Sequence, residues 1–451
     1  MIFCKQLSVL KRQIFSSILV MDNRTNFITQ FGDYKNTLYL IQRDNRIFDN
    51  YAFNLAVELA EKSKGSLYVG TELNKIKMNE RQKVFLMEGL QELEETCKTH
   101  NIFFYLINNI DKFIKSKEIS CIITDFSPLR ENTKYNEELE KICKNKKITF
   151  GICDAHNMVP CKLLKVYKKT GKAVKTQLFK YWDDYFEDMP AIKAYKYNNK
   201  DEVMKVKNNL KNKSKDKCSN FKGGYTAGMK EVEEFFEKRF SKFSSMRNNP
   251  NENAQSNLSP WIHTGQISSQ KIIFMACKRF KKNDENLSSF LNEIFAWKEI
   301  AEHYCYHEKN YDNLDGALPW ARETLLKHKN DKRDEVYSSE DLEAGKTNDT
   351  LWNAAQKELL IKGKIHGYVR MYWAKQLLKW KDDPEDALKI TIELNDKYSI
   401  DGNDPNGYTA IMWCICGAMD QGFKERKIIG KIRPMSSLKL KASDYIQRWN
   451  I

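Results

Sequence analysis

The fold of this chain is decided by residues 352–380, which read WNAAQKELLIKGKIHGYVRMYWAKQLLKW. Apolar residues recur at helical spacing on both sides of Gly363, and glycine commonly ends helices, so the stretch predicts two consecutive helices. On the second helix, steps of three and four residues place five side chains along one stripe: His366, Arg370, Trp373, Leu377 and Trp380. This stripe is aromatic, yet it carries an arginine, which is costly to bury unless a carboxylate or a charged ligand pairs with it.

The tryptophans of this stretch have two interpretations. At a rise of about 1.5 Å per residue, Trp373 and Trp380 stand on the order of 10 Å apart along the helix axis, and Trp352 can pack nearby. Such spacing suits electron hopping between indoles, but the tryptophans of an ordinary hydrophobic core show the same pattern. From spacing alone the core is the more common arrangement, and Arg370 favours a site only slightly.

The composition is that of a large globular protein with an excess of basic residues. Its 451 residues are too many for one small core, and 41% hydrophobic residues are enough to build two domains. Lysine and arginine number 75 against 60 acidic residues, which gives a formal net charge of +15. This excess favours a polyanionic partner such as nucleic acid or an acidic membrane surface, although a lysine-rich proteome gives the same composition.

The cysteines indicate a reducing environment. There are 11 of them, an odd number, and none are arranged as CxxC, so neither a disulfide framework nor a zinc ribbon is expected. The short apolar run after Lys11 and Arg12 lacks the small-residue cleavage site of a signal peptide. The cysteine usage therefore predicts a reduced, intracellular protein. No segment is long enough to span a membrane.

From Thr37 to about Ala155, β-rich runs alternate with amphipathic stretches. The strand-like runs are TLYLI, SLYVG, IFFYLI, CIITDF and ITFGICDA. This alternation predicts a parallel sheet covered by helices. Ligands of such sheets bind at the carboxyl ends of the strands, which directs attention to the loops TDFSPLR (124–130) and DAHNMVP (154–160).

The remaining sequence gives the domain boundaries. After Gly228 the pattern is almost wholly helical, whereas the preceding lysine- and asparagine-rich stretch has no periodicity. We expect four segments: an N-terminal extension (1–36), an α/β domain (37–195), a lysine-rich and partly disordered interdomain linker (196–222) and a helical domain (223–451).

Three polar motifs in the helical half can be ordinary structure or parts of a site. SNLSPWIHTG (256–265) leads into a helix N-terminus, which suits phosphates, but most such sequences are simple helix caps. Glu293 and Trp297 lie four residues apart, so they project from one helix face. The segment LNDKYSIDGNDPNGY, which starts at Leu394, is also typical of turns.

A metal site is not expected. His303 and His307 share a helix face around Cys305, a spacing that zinc ligands can use. The metalloprotease motif requires glutamate directly after the first histidine, and here that residue is Tyr304. We therefore interpret the two histidines as packing residues or as lining of a site.

Motifs over most of the chain resemble those of the class II cyclobutane pyrimidine dimer photolyases. The motifs are WNAAQ, KIHGYVRMYWAKQLLKW, LNDKYSIDGNDPNGY, GKIRPMS, SNLSPWIHTGQIS, CYHEKNYDNLDGALPWA, TDFSPLR and DAHNMVPC. They span nearly everything except the first thirty residues and the 196–222 segment. The resemblance implies an α/β fold with a doubly wound, Rossmann-like parallel sheet, followed by an all-helical domain that binds flavin adenine dinucleotide (FAD).

The resemblance also implies a light-driven repair reaction, catalysed by a carbon–carbon lyase. Fully reduced flavin, excited by near-ultraviolet or blue light, donates an electron to a cyclobutane dimer in DNA; the ring splits and the electron returns. Because the dimer lies inside a duplex, the enzyme extrudes it, which costs less for a damaged pair. Two alternatives are a cryptochrome-like flavin photoreceptor without repair activity and a light-independent nucleic-acid-binding scaffold.

The resemblance assigns the flavin-binding residues and the electron relay. The cradle of the flavin diphosphate comprises Ser256, Asn257, Leu258 and Ser259. Asn395 lies at the flavin N5 edge, and Asp401 forms a buried pair with Arg370 beside the isoalloxazine ring. The relay that photoreduces flavin runs outwards from the ring-proximal tryptophan, in the order Trp373, Trp352 and Trp380.

The resemblance likewise assigns the residues that meet DNA. Glu293 hydrogen-bonds a base carbonyl of the dimer, and Trp297 and Trp413 are the aromatic walls that pack against the flipped lesion. Met371 also belongs to the DNA-binding set, and Arg433 enters the gap left in the duplex.

Reduced FAD and damaged double-stranded DNA are therefore the expected cofactor and partner, with no metal and no membrane, and the protein is expected to be a monomer. An antenna chromophore of deazaflavin or folate type is possible in the first domain. There, Leu40, Ile41 and Tyr51 stand where the family often has tryptophans. The expected compartment is the one that holds the DNA: the nucleus, or the cytoplasm for a bacterial or cytoplasmically replicating viral protein.

Overall fold

A computed structural model describes residues 23–165, 170–210, 221–435 and 442–449. The first part of the chain forms one sheet of six strands: β1 (Thr25–Thr29), β2 (Asn36–Ile41), β3 (Ser66–Thr71), β4 (Phe103–Leu106), β5 (Cys121–Asp125) and β6 (Thr149–Cys153). Helices cover the sheet or follow it: Tyr51–Lys62, Glu80–Thr99, Ile110–Lys117, Arg130–Lys146, Gly171–Leu178, Trp182–Tyr185 and Lys200–Lys205.

The strand order is β1-β6-β5-β2-β3-β4, and all pairs are parallel except β1 with β6. Leu38 and Leu40 of β2 lie in the core on one face of the sheet, whereas Tyr39 and Ile41 lie in the core on the other. Both faces are covered, which explains why the strands read as continuous apolar runs rather than alternating ones. The expected parallel α/β fold is confirmed, with an antiparallel edge strand added.

That edge strand lies inside residues 1–36, the segment expected to be an N-terminal extension. The Thr29 hydroxyl donates a hydrogen bond to the Ile148 carbonyl (2.6 Å), and the Phe31 amide donates one to the Thr149 hydroxyl (3.0 Å). The α/β domain therefore begins before Thr37. The run TNFIT gives little signal because it is short and partly polar.

Residues 196–210 also differ from the expected partly disordered linker. The Asn198 amide group bonds both the backbone amide and the carbonyl of Leu67, each at 2.9 Å. Asn208 accepts from the Leu106 amide (2.8 Å) and donates to the Phe104 carbonyl (3.0 Å). These asparagines satisfy backbone groups beside β3 and β4, which orders a segment without an apolar period. Residues 211–220 lie outside the described residues.

The second part of the chain is helical, as expected. Its α-helices are Tyr225–Lys238, Phe243–Met246, Ser259–His263, Ser269–Arg279, Glu285–Leu291, Lys298–His307, Pro319–Lys327, Ser339–Ala344, Thr350–Lys362, Gly367–Trp380, Pro384–Tyr398, Pro405–Cys416 and Ala442–Trp449. A π-helical segment, Asn292–Trp297, joins two of them. Gly363 ends the helix Thr350–Lys362 with φ +69°, a conformation that glycine adopts without strain.

A buried ion cluster joins the two domains. Arg43, in the loop after β2, contacts Glu302 of the helix Lys298–His307 (2.6 Å) and Asp404 at the start of the helix Pro405–Cys416 (3.2 Å). The side chains of all three are at most 8% exposed. Removing one partner from such a cluster would leave a buried charge unpaired, so the cluster fixes these two helices against the sheet.

Candidate functional site

The helix Gly367–Trp380 brings Arg370 to a carboxylate from another segment. One guanidinium nitrogen of Arg370 lies 3.0 Å from Asp401 Oδ1, and the Ser259 hydroxyl donates to Asp401 Oδ2 at 2.7 Å. Lys364, just before the helix, donates to the Ser259 hydroxyl at 2.9 Å. We call Ser259, Lys364, Arg370 and Asp401 the charge cluster. It contains the partner that the arginine of the sequence stripe requires.

The charge cluster has more positive than negative charge. Burial alone would raise the pKa of Asp401, but the charges of Arg370 and Lys364 outweigh it and lower that pKa. Burial also lowers the pKa of Lys364 to about 8. Two cations thus face one carboxylate, and the buried Nε of Arg370 has no hydrogen-bond partner among the described residues. Since buried donors are normally satisfied, this arrangement fits an additional anionic or hydrogen-bonding ligand.

The segment Ser256–Ser259 is shaped by its backbone. Asn257 has φ +59°, which asparagine tolerates better than most residues, and this turns the chain before the short helix Ser259–His263. The Leu258 side chain is in the core at 1% exposure, so only its backbone is free to face a ligand. Of this segment, the Ser259 side chain reaches the charge cluster.

Asn395 belongs to a second polar group. Its amide donates to Asp396 Oδ1 at 3.1 Å, and its carbonyl oxygen accepts from the Ser399 hydroxyl at 3.2 Å. The side chain is 2% exposed, and Gly407 approaches it so closely that a Cβ there would lie 3.2 Å from Asn395 Nδ2. Asn395 is therefore held at a fixed place between the helices Pro384–Tyr398 and Pro405–Cys416.

The three tryptophans of the opening stretch lie together. The rings of Trp373 and Trp352 are stacked, with centroids 6.1 Å apart and planes 5° from parallel. Trp352 meets Trp380 edge to face, with centroids 5.3 Å apart. The indole of Trp352 donates to the Trp373 carbonyl (2.9 Å), and that of Trp373 donates to Gln356 (3.0 Å). The rings form a continuous row from Trp373 to Trp380.

A second pair of tryptophans lies at the surface. Trp297 and Trp413 have ring centroids 5.0 Å apart, and both are partly exposed. Trp297 ends the π-helical segment, a rare conformation that is frequent at functional sites. A Cβ at Gly171 would lie 2.9 Å from the Trp297 ring, so that glycine is needed for the close packing of the helix Gly171–Leu178. The pair forms a half-buried aromatic wall.

Glu293 is held by two residues that the sequence did not single out. The Asn292 amide donates to Glu293 Oε1 at 3.2 Å, and Arg247 lies 3.5 Å from the same oxygen. Lys175 in turn donates to the Asn292 carbonyl oxygen. The Glu293 side chain remains 41% exposed. Since Arg247 is 46 residues away in the chain, no local pattern indicates this contact.

The two other expected DNA contacts are also at the surface. Met371, next to Arg370, is 39% exposed. The Arg433 side chain is 50% exposed and pairs with Asp420 through two hydrogen bonds of 2.7 Å. The sequence motifs did not assign Asp420 or Lys364 to the site. Both are charged residues in loops, where the spacing of apolar residues gives no information on burial.

Of the two loops at the strand ends, one lines a cavity. Ser127, Leu129 and Arg130 of the first loop, with Gln42 and Arg43 after β2, border a partly open cavity of about 100 Å³. The second loop is enclosed instead: His156 bonds Asp44 at 3.0 Å, as a satisfied loop histidine does. Of the two loops, the first is thus the one that borders a cavity.

Two kinds of feature are absent from the described residues. No group of three or more His, Cys, Asp or Glu side chains in them is arranged to hold a metal ion. Within the same residues, no helix has the length and apolarity needed to cross a membrane.

Known proteins resemble this chain over most of its length. The model of the DNA photolyase family matches residues 37–196. The deoxyribodipyrimidine photo-lyase of Potorous tridactylus is 38% identical over 413 residues, which cover 88% of this chain and 77% of the relative. Those of Arabidopsis thaliana and Oryza sativa are each 35% identical, covering 88% of this chain and 85% and 83% of the relatives.

Solved structures share the fold at low sequence identity. A class III photolyase from Agrobacterium tumefaciens has a TM-score of 0.68 at 17% identity, covering 92% of this chain and 86% of that one. A cryptochrome from Synechocystis has a TM-score of 0.70 at 15% identity, covering 92% and 88%. The fold is thus common to repair enzymes and cryptochromes. It is the sequence identity to the curated relatives that decides membership: the chain belongs to the deoxyribodipyrimidine photo-lyases, and its motifs are those of class II.

Proposed function

We propose that this chain, a member of a DNA repair family, uses reduced FAD and light to split cyclobutane pyrimidine dimers flipped out of duplex DNA. The observation that carries the proposal is the helix Gly367–Trp380. Within four residues it directs Arg370 to the charge cluster, exposes Met371 and places Trp373 at one end of the tryptophan row. One rigid element thus joins a place for an anionic cofactor, an exposed surface and a path for electrons.

The residues present fit FAD as the cofactor. The excess positive charge of Lys364 and Arg370 suits a diphosphate or an anionic flavin, and the unpaired Arg370 Nε offers a donor. We assign Ser256, Asn257, Leu258 and Ser259 to the diphosphate, and Arg370, Asn395 and Asp401 to the flavin ring. When bound in its reduced form, FAD supplies the light-absorbing electron donor. The residues around it orient it and exclude water.

The tryptophan row is the route by which electrons enter. Trp373 is the inner member; it recovers an electron from Trp352, which recovers one from Trp380. Trp380 borders an open pocket, and a soluble reductant such as a thiol reduces it in turn. The centroid separations of 6.1 and 5.3 Å are near van der Waals contact for rings, which suits hopping. The relay loads the cofactor and takes no part in splitting the dimer.

The half-buried wall of Trp297 and Trp413 receives the lesion. A flipped dimer offers a flat face to an aromatic side chain, and Glu293 stands at the same surface to bond a base edge. Lys175, Arg247 and Arg433 lie beside these residues, so cations are placed where phosphates would pass. We expect a monomer that acts in the compartment that holds the DNA.

The cavity at the first loop is our candidate site for an antenna chromophore of deazaflavin or folate type. It lies at the carboxyl ends of parallel strands, the usual place for ligands in α/β sheets. Arg43, Arg130 and His263 border it, but each already contacts a carboxylate, so an anionic group would bind there by sharing or exchanging those partners. A second absorbing species in the purified protein, lost when Ser127 is replaced by Trp to fill the space, would support this assignment.

The repair reaction is tested by illuminating dimer-containing duplex DNA with the reduced, flavin-loaded protein and following the loss of dimers. We expect light-dependent reversal by the wild type and a clearly lower yield from Glu293→Ala. A flavin-loaded wild type that binds this DNA and leaves dimers unchanged under blue light would favour the cryptochrome-like photoreceptor. A well-folded preparation that takes up no FAD would contradict both.

A further inference from the structure

Asp420 is shared between the aromatic wall and the exposed arginine. Its Oδ2 accepts from the Trp413 indole (3.1 Å) and from Arg433 Nε (2.7 Å), while its Oδ1 accepts from a second Arg433 nitrogen (2.7 Å). Only 6% of the Asp420 side chain is exposed, against 50% for Arg433. Burial alone would raise the pKa of Asp420, but the bonds from Arg433 and Trp413 outweigh it and lower that pKa. The Gln421 amide also donates to Oδ1 at 3.1 Å, so the carboxylate is ionised and largely buried among three partners.

The turn that carries Asp420 is rigid. Gly417 ends the helix Pro405–Cys416 with φ +63°, and a Cβ at that position would lie 2.7 Å from the Trp320 ring. Met419 also has a positive φ of 63°, and the Asp420 amide donates to the Gly417 carbonyl at 3.1 Å. The carboxylate therefore keeps its position relative to Trp413. The long, half-exposed side chain of Arg433, whose guanidinium also lies 4.6 Å from the centroid of the Phe423 ring, is the partner that can move.

We propose that Asp420 is a specificity-determining residue: it holds Arg433 back from undamaged DNA while fixing Trp413 for the lesion. This inference rests on the proposed function. An arginine paired with a carboxylate gains little by exchanging it for a phosphate, so it stays in place on an intact duplex. A duplex with an extruded dimer offers Arg433 the gap left by the flipped bases as well as phosphates. On such a duplex, the exchange of Asp420 for DNA as the partner of Arg433 becomes favourable. When Arg433 leaves, Oδ2 keeps the Trp413 indole as a donor and Oδ1 keeps the Gln421 amide (3.1 Å), so the carboxylate still fixes Trp413.

The proposal predicts opposite changes in two affinities. In Asp420→Ala, Arg433 keeps only its contact with the Phe423 ring and can bind phosphates of any duplex, so affinity for undamaged duplex rises and its salt dependence steepens by about one contact. The preference for dimer-containing duplex falls by about tenfold, the scale of one charge-assisted hydrogen bond. A merely structural defect would lower both affinities, so a rise in one with a fall in the other identifies the proposed role.

A double-mutant cycle tests the link to Arg433. Dissociation constants of the flavin-loaded protein for dimer-containing and undamaged duplexes are measured for the wild type, Asp420→Ala, Arg433→Gln and the double variant. We expect Arg433→Gln to lower the preference in the wild-type background and to leave it unchanged in the Asp420→Ala background. The same fold-change in both backgrounds would overturn the inference.

Two further variants keep the test decisive. Asp315→Ala is the matched control, since it removes one carboxylate from an exposed pair with Arg322 (3.0 Å), and it should leave the preference unchanged. If Asp420→Ala does not fold, Asp420→Asn retains an acceptor for Trp413 but loses the charge that holds Arg433, and affinity for undamaged DNA should still rise. No rise would overturn the inference. A wild type that shows no preference for dimers would overturn the proposed lesion recognition and this inference together.

Discussion

The inner and outer halves of the site are built in different ways. In the inner half, Trp352, Trp373 and Trp380 are 0, 1 and 6% exposed, and their positions are set by dense packing and by two indole hydrogen bonds. In the outer half, Glu293, Met371 and Arg433 are 39 to 50% exposed, and ion pairs with other segments hold the charged ones. Packed cores tolerate little displacement, whereas exposed ion pairs exchange partners at small cost.

This difference matches the two tasks that we propose. Electron hopping needs ring separations that do not change, so the relay is placed in the core of the helical domain. Binding of a flipped lesion needs groups that can exchange one hydrogen-bond partner for another, so the aromatic wall and the charged residues beside it lie at the surface. Substitutions in the inner half should therefore act on loading and stability, and those in the outer half on the choice of DNA.

The largest effect is expected from Trp373→Phe. Loss of the inner indole interrupts the row, so photoreduction of oxidised flavin should be abolished, while repair by chemically reduced protein stays largely intact. Absorption under illumination, followed by a single-turnover repair assay, measures both. Trp182→Phe, at another buried tryptophan that stacks on Phe179, is the control and should photoreduce normally. Normal photoreduction by Trp373→Phe would show that Trp373 is not the proximal tryptophan of the relay.

Arg370→Leu tests whether the charge cluster supports the inner half. The change leaves Asp401 without its guanidinium partner, so we expect weaker flavin retention and a loss of about 3–5 kcal/mol in the free energy of unfolding. Denaturant unfolding and flavin occupancy are the measurements. Arg322→Leu, which breaks an exposed pair, should cost only about 0–1 kcal/mol. Equal stability and occupancy in Arg370→Leu and the wild type would mean that Arg370 is not a buried partner.

Trp413→Ala is the corresponding test of the outer half. It removes a stacking surface worth roughly 1–3 kcal/mol, so preference for dimer-containing DNA should fall more than overall DNA affinity. Affinity for undamaged DNA should decrease steeply with added salt in both proteins, because it comes mainly from lysine and arginine contacts to phosphate. Titrations at several salt concentrations separate the two terms. A parallel fall in both affinities would contradict the role of Trp413 as a wall for the lesion.

The smallest effect concerns pH. The pKa of Lys364 is lowered to about 8 mainly by burial, so this lysine is charged at neutral pH and loses its proton as the pH rises through that value. If it assists in binding an anionic flavin nucleotide, affinity of the apoprotein for FAD should fall above pH 8, at most about tenfold per pH unit. Flavin fluorescence titrations at pH 7 and pH 9 measure this, and Lys364→Met should flatten the dependence. An unchanged slope in that variant would place Lys364 outside the binding site.

The hydrophobic periodicity of the sequence predicted much of the fold. The alternating β-rich and amphipathic runs predicted the parallel sheet, and the helical pattern on both sides of Gly363 predicted the two helices that carry the relay. Such patterns succeed because they report which face of an element is buried. They failed at Thr25–Thr29 and at residues 196–210, where hydrogen bonds from polar side chains order the chain without an apolar period.

The sequence by itself also supplied the residues of the site, through motifs that resemble a family. Their roles remain proposals, but the structure brings Arg370 to Asp401 and joins the three tryptophans in one row. Only the tertiary structure showed that Lys364 joins the charge cluster, that Arg247 and Asn292 hold Glu293, and that one carboxylate, Asp420, serves both Trp413 and Arg433. The reason is physical. The spacing of apolar residues along the sequence indicates which side chains are buried, but the partner of a buried side chain lies on another segment, and the position of that segment is set by the packing of the whole domain.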